Sequence, residues 1–445
     1  MATSFLPIEP WSVRRRNPAV EAFLNRPAFD EQAEAAAAGV LAAVRRDGEA
    51  AVLEAARRFQ GGVSLTGATL RVSAAALRAA GRRTPPAAAR AVREAYARVS
   101  AFARAGMRRP WTMPTPGGGS LGERFAPLDR VGVYVPGGTA PLASTAVMTT
   151  ALARVAGVPE IVVCTPCAAD GSVNPVLLFA LTLAGVSEVY KVGGIQAIGL
   201  MAYGTRRVRP VQKIVGPGNA YVTAAKRQVY GTVAIDQVAG PSEIAVLADA
   251  RANPAWVAAD LLSQAEHGSG LEKALLATDS AALARAAAAE VARQTALLPR
   301  REAVARVLAN GGMLAAVVPD LDQGMELVNR FAPEHFEIMT ADAAARVAAV
   351  RAAGAVFVGG WTPESAGDFV AGPSHVLPTG GAARMFSGLT VDDFRRRTSV
   401  VRFTRRDLAE TRGVIETFGA VEGLDAHARA ASVRFETAKR RKTES

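Results

Sequence analysis

The chain has 445 residues, of which 50% are hydrophobic, so it can bury a large core divided among about two to four domains. Its formal net charge of +12 would fit a nucleic-acid-binding protein if the basic residues shared one face with aromatic residues between them. The arginines are instead scattered, and the basic runs at 14–16, 395–397 and 439–442 have few aromatic neighbours, so we interpret these runs as solvated faces and do not favour nucleic-acid binding.

The N-terminal residues "MATSFLPIEPWSVRRR" lack the apolar segment of a signal peptide. No apolar run in the chain reaches the length of about 18 residues that a membrane-spanning helix needs. There are two cysteines, Cys164 and Cys167, which excludes a disulfide framework and is compatible with a reducing compartment. We therefore expect a cytoplasmic protein that does not bind a membrane.

The segment from residue 28 to 106 is predicted to be helical. Its Ala-rich stretches "EQAEAAAAGVLAAVRRDGEAAVLEAARRF" and "PAAARAVREAYARVSAFARA" place apolar residues at helical spacing. The Pro- and Gly-rich stretch "RRPWTMPTPGGGS" follows and predicts a break in regular structure.

From residue 131 the chain alternates between short apolar runs and amphipathic stretches. The runs "VGVYV", "EIVVCT", "EVYKV" and "QKIVG" predict strands with helices between them. A second alternating region extends from "EIAVLAD" at Glu243 through "KALLAT" and "MLAAVVP" to "AGAVFVGG" near residue 360. This alternation is typical of βαβ units, so the sequence predicts two Rossmann-like α/β regions with parallel sheets. From about residue 390, a strand "SVVRFT" and helical sequence follow.

Three glycine-bearing loops each follow a predicted strand and precede a predicted helix: "VYVPGGTAP" (133–141), "KVGGIQAIG" (191–199) and "IVGPGNAYV" (214–222). Backbone N–H groups and the helix dipole favour an anionic ligand at such positions. None of the loops has the G-x-G-x-x-G or Walker A pattern, and each taken singly is more simply a tight turn. Together they indicate a cleft for a nucleotide-like ligand.

Histidine is rare in this chain, and three of its four histidines lie near carboxylates or amides. Gln264 and His267 are predicted on one face at the end of a helix, Asp368 and His375 on a loop, and Glu422 and His427 near another helix. Zinc accepts imidazole nitrogen and carboxylate oxygen as ligands, so these pairs are candidate metal ligands. Spacing alone leaves open whether they converge or are separate polar groups.

The fourth histidine lies in "FAPEHFEI", where Glu334 and His335 follow a proline. A histidine with a pKa near 6.5 can exchange protons at neutral pH, and a neighbouring carboxylate can orient water. We predict that both residues lie in a loop before the strand "FEIMT". They are interpreted either as a catalytic pair or as surface polar groups at the end of a helix, and the sequence favours neither.

Taken together, the motifs resemble one family. They run from "VGVYVPGGTAP" through "GPGNAYVTAAK", "DQVAGPSE", "LLSQAEHG", "FAPEHFE" and "GDFVAGPSHVLPTGGAARMFSGLTVDDF" to "EGLDAHA". Long motifs in this order resemble those of histidinol dehydrogenase, the zinc- and NAD-dependent enzyme of the last steps of histidine biosynthesis. The resemblance extends over nearly the whole chain. Phe336 stands where we expect leucine, and the CxxC of Cys164 and Cys167 is unfamiliar in this family.

The resemblance implies a role for each matched residue. One zinc per site is expected, and its ligands would be Gln264, His267, Asp368 and His427, the last from the other subunit of a homodimer. Glu334 would activate water and His335 would accept protons. The substrate L-histidinol would contact the zinc ligands, the catalytic pair, and Ser242, His375 and Glu422. NAD would contact one residue from each glycine-bearing loop, which are Tyr134, Gln196 and Asn219.

The resemblance also implies a fold with two incomplete Rossmann-like parallel-sheet domains, a short N-terminal arm and a small C-terminal domain. The expected boundaries are 1–25 for the arm, 26–130 with 243–389 for the first domain, 131–242 for the second, NAD-binding domain, and 390–445 for the C-terminal domain exchanged between subunits.

Three other functions stay open on the sequence alone. A related zinc- and NAD-dependent dehydrogenase would oxidise another small polyol or a sulfonated diol, although "AGPSHVLPT" and "EGLDAHA" favour histidinol. A zinc hydrolase would use Glu334 to activate a metal-bound water and would not need NAD. A basic nucleic-acid-binding protein would bind in a salt-sensitive way and would not need the histidines. Oxidation through a cysteine thiohemiacetal is not favoured, because both cysteines fall in the predicted α/β core.

Overall fold

The computed structural model of the protein describes residues 5–15, 17–25, 30–61, 63–137 and 142–436. The basic run predicted at 439–442 lies outside these ranges. The chain forms two compact units, one up to Met107 together with Leu128–Phe394, and one of Arg108–Pro127 with the residues from Arg395 onward. Within the described ranges, no helix has both the length and the apolar character that crossing a membrane requires.

The strands in chain order are β1 (Ile8–Pro10), β2 (Trp111–Pro114), β3 (Ser120–Pro127), β4 (Arg130–Tyr134), β5 (Glu160–Cys164), β6 (Glu188–Tyr190), β7 (Lys213–Val215), β8 (Ala234–Ile235), β9 (Glu243–Ala248), β10 (Lys273–Thr278), β11 (Met313–Val317), β12 (His335–Met339), β13 (Ala355–Val358) and β14 (Arg395–Arg402). Each strand predicted from alternating apolar runs is present within a few residues of its expected position, which confirms the α/β class.

The helices are α1 (Pro18–Leu24), α2 (Glu31–Asp47), α3 (Glu49–Phe59), α4 (Ala74–Arg83), α5 (Pro86–Gly106), α6 (Ala143–Ala156), α7 (Pro175–Leu183), α8 (Gly194–Tyr203), α9 (Ala220–Val229), α10 (Pro254–Ala265), α11 (Ala281–Thr295), α12 (Arg301–Ala309), α13 (Leu321–Phe331), α14 (Ala343–Arg346), α15 (Glu364–Phe369), α16 (Arg405–Val421) and α17 (Asp425–Ser432). Asn174 and Asn253 accept backbone N–H groups at the starts of α7 and α10, each followed by a proline that favours the first helical turn.

The larger unit contains a six-stranded parallel sheet in the order β1-β11-β10-β9-β12-β13. Alternate residues of β9 contribute to two apolar clusters. Ile244 and Val246 pack with residues of α10, α11 and α12, while Ala245 and Leu247 pack with residues of α1 and α13. The sheet is therefore covered on both faces. β1, which lies in the predicted N-terminal arm, forms its edge strand.

The same unit contains a five-stranded parallel sheet in the order β6-β5-β4-β7-β8. Its apolar residues form one cluster with residues of α5, α6 and α7 and another with residues of α2, α8 and α9. The N-terminal helices thus pack on the sheet of residues 130–235. This grouping differs from the expected boundaries, which join residues 26–130 to the segment 243–389.

The smaller unit contains an antiparallel sheet in the order β14-β3-β2 together with α16 and α17. β2 and the start of β3 fall where the sequence predicts a break, because the glycine-rich stretch forms the turn between them. Gly118 has a φ of +89° in this turn. The Asp407 carboxylate accepts the N–H groups of Gly117 and Gly119, and it also completes a capping box with Thr404 at the start of α16.

Candidate active site

Glu334 and His335 lie at the junction between α13 and β12. The helix ends at Phe331, and Ala332 adopts a left-handed conformation with a φ of 50°, the one non-glycine residue among the described ranges with a positive φ. Such a conformation costs about 1 kcal/mol or more and is characteristic of constrained sites. The prediction that both residues lie in a loop is wrong for His335, which is the first residue of β12.

Both residues of the pair are buried, with 6% of Glu334 and 3% of His335 exposed. This burial rules out their interpretation as surface polar groups. The Glu334 carboxylate accepts the N–H group of Glu243 at 3.2 Å. Burial raises the pKa of Glu334 to about 7, since desolvation disfavours the charged form.

The imidazole of His335 is oriented by Gln264. Its Nδ1–H donates to Oε1 of Gln264 at 2.8 Å. Its Nε2 has no hydrogen-bond partner among the described residues and lies 3.7 Å from Asp368 and 3.9 Å from Glu364. Burial lowers the pKa of His335, but the negative charges of Glu334 and the other acidic neighbours outweigh it and raise this pKa to about 9.

Gln264 and His267 lie at the end of α10, as predicted. Gln264 is in the last turn of the helix and is fully buried, and His267 follows the helix by two residues. The side-chain nitrogen of Gln264 lies 3.4 Å from Nδ1 of His267. The structure therefore brings Gln264, His267 and His335 together around one amide group.

Asp368 lies on the short helix α15, so its prediction on a loop is wrong. The same helix begins with Glu364, a residue that the sequence reasoning missed. Ligand atoms of His335, Glu364 and Asp368 lie within 4.8 Å of one another, close enough to surround one metal ion. The spacing of four residues between Glu364 and Asp368 puts both on one helical face and is the signal that could have identified Glu364.

His375 connects α15 to α6, a helix that packs on the five-stranded sheet. Its Nδ1–H donates to the backbone oxygen of Asp368 at 3.0 Å, and its Nε2 lies 3.1 Å from Oγ1 of Thr145 on α6. Burial lowers the pKa of His375, which favours the neutral imidazole. Ser242 immediately precedes β9 and is adjacent in sequence to Glu243, whose N–H group binds Glu334.

Glu422 and His427 belong to the smaller unit. Glu422 is the C-cap residue that follows α16, and His427 lies in α17, where its N–H group donates to the backbone oxygen of Leu424 at 2.9 Å. Both residues are exposed within this unit. Their predicted roles beside the substrate and the metal stay predictions.

Tyr134, Gln196 and Asn219, each from one glycine-bearing loop, line a single open cavity of about 660 Å³. The hydroxyl group of Tyr134 accepts the N–H group of Gly194 at 3.1 Å, and Asn219 accepts the N–H group of Val222 at the start of α9. Residues 138–141 of the first loop lie outside the described residues. The structure thus brings residues of three separate loops to one cavity.

A buried ion pair supports the loop that carries Asn219. Lys226 and Asp236 pair with each other, and each side chain is 3% exposed. Lys226 donates to the backbone oxygen of Gly216 at 2.9 Å, while Asp236 accepts the N–H group of Gly216 at 2.7 Å. Gly216 has a φ of +119°, and a Cβ atom there would lie 2.1 Å from the backbone oxygen of Tyr134. The pair therefore holds a glycine that no other residue can replace without rearrangement.

Neither cysteine is suited to form a covalent intermediate. Cys164 ends β5 and is fully buried, and burial raises the pKa of its thiol far above the usual range. Cys167 lines the 660 Å³ cavity, and burial also raises the pKa of its thiol. Since the thiolate is the nucleophile, both residues are held in the unreactive form.

Comparison with known proteins identifies one family. A model of the histidinol dehydrogenase family matches residues 24–435. The chain is 48% identical over 397 residues to histidinol dehydrogenase of Moorella thermoacetica, covering 89% of this chain and 93% of that protein. It is 46% identical over 399 residues to that of Heliobacterium mobile, covering 90% and 93%. The crystal structure of histidinol dehydrogenase from Elizabethkingia anophelis superposes with a TM-score of 0.91 at 33% identity, covering 98% of this chain and 99% of that one.

The ion pair beneath Gly216 can be tested by removing its cation. We expect Lys226→Met to lower the free energy of unfolding by about 3–5 kcal/mol, because it leaves the buried Asp236 carboxylate without the cation that balances its charge. The double variant Lys226→Met/Asp236→Asn should lose less, since no uncompensated charge is left. Chemical denaturation measures all three proteins, and a double variant less stable than the single one would contradict this account.

Proposed function

The chain belongs to the histidinol dehydrogenase family of NAD-dependent oxidoreductases, and we propose that it oxidises L-histidinol to L-histidine through L-histidinal in the last steps of histidine biosynthesis. Conversion of an alcohol to a carboxylate removes four electrons, so two hydrides leave to two NAD molecules in turn and water is added between the two steps. The observation that carries this proposal is the buried Glu334–His335 pair beside Gln264 and Asp368.

His335 serves as the general base in the proposed reaction. Its Nδ1 is occupied by Gln264, which leaves Nε2 as the nitrogen that accepts a proton, first from the alcohol and later from the hydrated aldehyde. A cation bound beside Asp368 would offset the acidic neighbours that raise the pKa of His335, and would so favour the neutral imidazole that this role requires. Asp368 and Glu364 face the same nitrogen and stabilise the imidazolium that forms. Glu334 serves to activate the water that adds to the aldehyde.

Zinc is the metal that we propose, with Gln264, His267 and Asp368 as ligands from one chain and His427 from the other subunit. The residues fit this ion, because they supply the imidazole nitrogens and side-chain oxygens that zinc prefers. Within the described part of the chain, the buried atoms Nε2 of His335 and Oε1 of Glu364 have no hydrogen-bond partner, and both face the same small space. When bound, zinc supplies a fixed attachment for the imidazole and amine of histidinol, which is mainly a positioning role.

The cavity lined by Tyr134, Gln196 and Asn219 is the site that we propose for NAD. The helices α8 and α9 begin at Gly194 and Ala220, directly after residues that line this cavity. Helix N-termini favour phosphate groups, so both helices could bind the phosphates of NAD. Ser242, His375 and Glu422 would complete the surroundings of the substrate. His375 suits this role because it contacts both Asp368 and Thr145.

We also propose a cytoplasmic homodimer with shared active sites and no nucleic-acid partner. The two parallel sheets would be the centres of its two incomplete Rossmann-like domains, with the smaller unit exchanged between subunits. Exposed apolar side chains of the smaller unit support such an assembly, namely Val400, Val401, Phe403, Val414, Phe418, Val421, Leu424 and Val433. A monomer in analytical ultracentrifugation would refute the dimer.

The reaction is tested by following NADH formation from limiting L-histidinol with zinc-loaded protein. We expect two NADH per histidinol, because both oxidation steps take place in one site. We also expect loss of activity after chelation, because zinc holds the substrate in the proposed site. One NADH would show that the aldehyde escapes or that Glu334 does not act as proposed. Activity without NAD would indicate a hydrolase, and no turnover of histidinol would favour a dehydrogenase of another small polyol or a sulfonated diol.

The role of His335 is tested by two substitutions. We expect His335→Ala to lower kcat by roughly two to four orders of magnitude while leaving the zinc content near that of the wild type, as for loss of a general base. His335→Asn should be equally inactive, because its amide can still donate to Gln264 but cannot accept the proton. Loss of zinc from either variant would assign His335 to the metal instead.

The sharing of active sites between subunits is tested by complementation. His427→Ala and Glu334→Ala should each be inactive, yet after mixing and re-association they should recover about a quarter of the wild-type activity, since half of the dimers are mixed and each has one intact site. A mixture of His335→Ala with Glu334→Ala is the control and should recover nothing. Equal recovery in both mixtures, or in neither despite proven subunit exchange, would contradict a shared site.

A further inference from the structure

Three acidic side chains form a buried group behind the site, and only one of them, Glu364, has a role in the reaction proposed above, where it stabilises the imidazolium of His335. They are Asp260, Glu337 and Glu364, which are 9%, 1% and 2% exposed. We call them the acidic group. A carboxyl group is costly to bury, and an apolar residue of similar size would avoid that cost. What the acidic group contributes to the structure is therefore the direction of the hydrogen bonds that its members make.

Each member of the acidic group lies on the same face of its helix or strand as a site residue, one helical turn or two strand residues away. Asp260 precedes Gln264 by four residues on α10, and Glu364 precedes Asp368 by four residues on α15. In a helix, residues four apart share a face. Glu337 follows His335 by two residues on β12, and alternate residues of a strand share a face. The group therefore connects the three elements that carry the site.

Glu337 is the central member of the acidic group. Its Oε1 accepts the N–H group of Glu364 at 2.6 Å, which is the first N–H group of α15 and has no partner within the helix. Its other oxygen, Oε2, accepts from no donor among the described residues, and the carboxyl group of Asp260 is close enough to interact with that of Glu337. Two neighbouring carboxyl groups can hydrogen-bond to each other only with one proton between them. Burial and the charge of Asp260 raise the pKa of Glu337 well above its usual range, which favours Glu337 as the proton donor.

A second link closes the arrangement. The hydroxyl group of Ser263, on α10, donates to Oε2 of Glu364 at 2.8 Å. The other oxygen of Glu364 faces Nε2 of His335 at 3.9 Å. A shift of α15 relative to β12 would thus break the hydrogen bond that Glu364 donates to Glu337, and it would move both Glu364 and Asp368 with respect to the imidazole.

We propose that Glu337 is a positioning residue for the oxidation of histidinol, holding α10, β12 and α15 in register so that Gln264, His335 and Asp368 face one another. This inference rests on the proposed function. Glu337 acts through the backbone of α15 and through Asp260, and it does not itself contact the substrate. The property required of residue 337 is one acceptor toward Glu364 and one donor toward Asp260.

Two substitutions of Glu337 separate directed hydrogen bonds from simple space filling. Glu337→Gln keeps both bonds, since its amide oxygen can accept from Glu364 and its NH₂ group can donate to Asp260. Glu337→Leu keeps the volume and loses both. We expect Leu to lower kcat and zinc affinity by about 10- to 100-fold, as for residues that orient metal ligands from behind, with the KM for NAD within about twofold of the wild type. Gln should retain most of both properties.

Zinc retention during dialysis against a graded chelator measures metal affinity without reference to activity. A wild-type protein that retains zinc but does not oxidise histidinol would refute the proposed function, while the comparison of Leu and Gln at residue 337 would still test the positioning role. Equal effects of both substitutions, or a Leu variant with lowered thermal stability but unchanged kcat and zinc affinity, would overturn the inference.

A matched control is Glu188→Leu. Glu188 is a carboxylate on β6 that pairs with the buried Arg130, so its loss should lower stability without changing zinc affinity. If Glu337→Leu does not fold, the same comparison is made at Asp260, the partner in the shared proton. The Asp260→Asn variant can still hydrogen-bond to Glu337, whereas the Asp260→Leu variant cannot. Asp260→Asn should therefore retain kcat and zinc affinity, and Asp260→Leu should lose both. Equal behaviour of these two variants would refute the inference.

Discussion

The hydrogen bond from Nδ1 of His335 to Oε1 of Gln264 is the contact on which the site depends. It joins the first residue of β12 to the last turn of α10, the helix that packs on the strands β9 and β10 of the same sheet. Because one ring nitrogen is committed to Gln264, the direction of the other is set, and Nε2 points toward Asp368 and Glu364. A histidine whose ring could rotate would not present one nitrogen to a reacting proton.

The acidic groups around His335 explain how a buried imidazole can carry a positive charge, and they also explain why the site is suited to bind a cation. Glu334, Glu364 and Asp368 are acidic, and they surround a single imidazole in a space from which water is largely excluded. Burial alone raises the pKa of a carboxyl group, which is the direction seen for Glu334. A site with more acidic than basic groups favours a positive ion, so the same arrangement that makes the bare site costly also makes it suited to hold a metal.

The candidate site residues lie at opposite ends of the strands in the two parallel sheets. In the five-stranded sheet, Tyr134 ends β4 and Asn219 follows β7, which places the cavity at the carboxyl ends of the strands, where ligands bind in open α/β sheets. In the six-stranded sheet, Glu243 and His335 are the first residues of β9 and β12, so the site lies at the amino ends. α10 follows β9, runs back from the carboxyl ends of the strands, and so brings Gln264 to their amino ends.

The sequence by itself determined the α/β class, the parallel strands and the family, because apolar periodicity and long motifs are local properties of the chain. It also singled out Glu334, His335, Gln264, His267 and Asp368 as candidates. Only the tertiary structure decided that Glu334 and His335 are buried and that Glu364 joins Asp368 beside the imidazole. The β2–β3 hairpin escaped prediction because its turn depends on Asp407, which is nearly 300 residues away in the chain. Distances between side chains on separate elements arise from packing, and packing depends on contacts between segments that are far apart in the chain, so no single segment determines it.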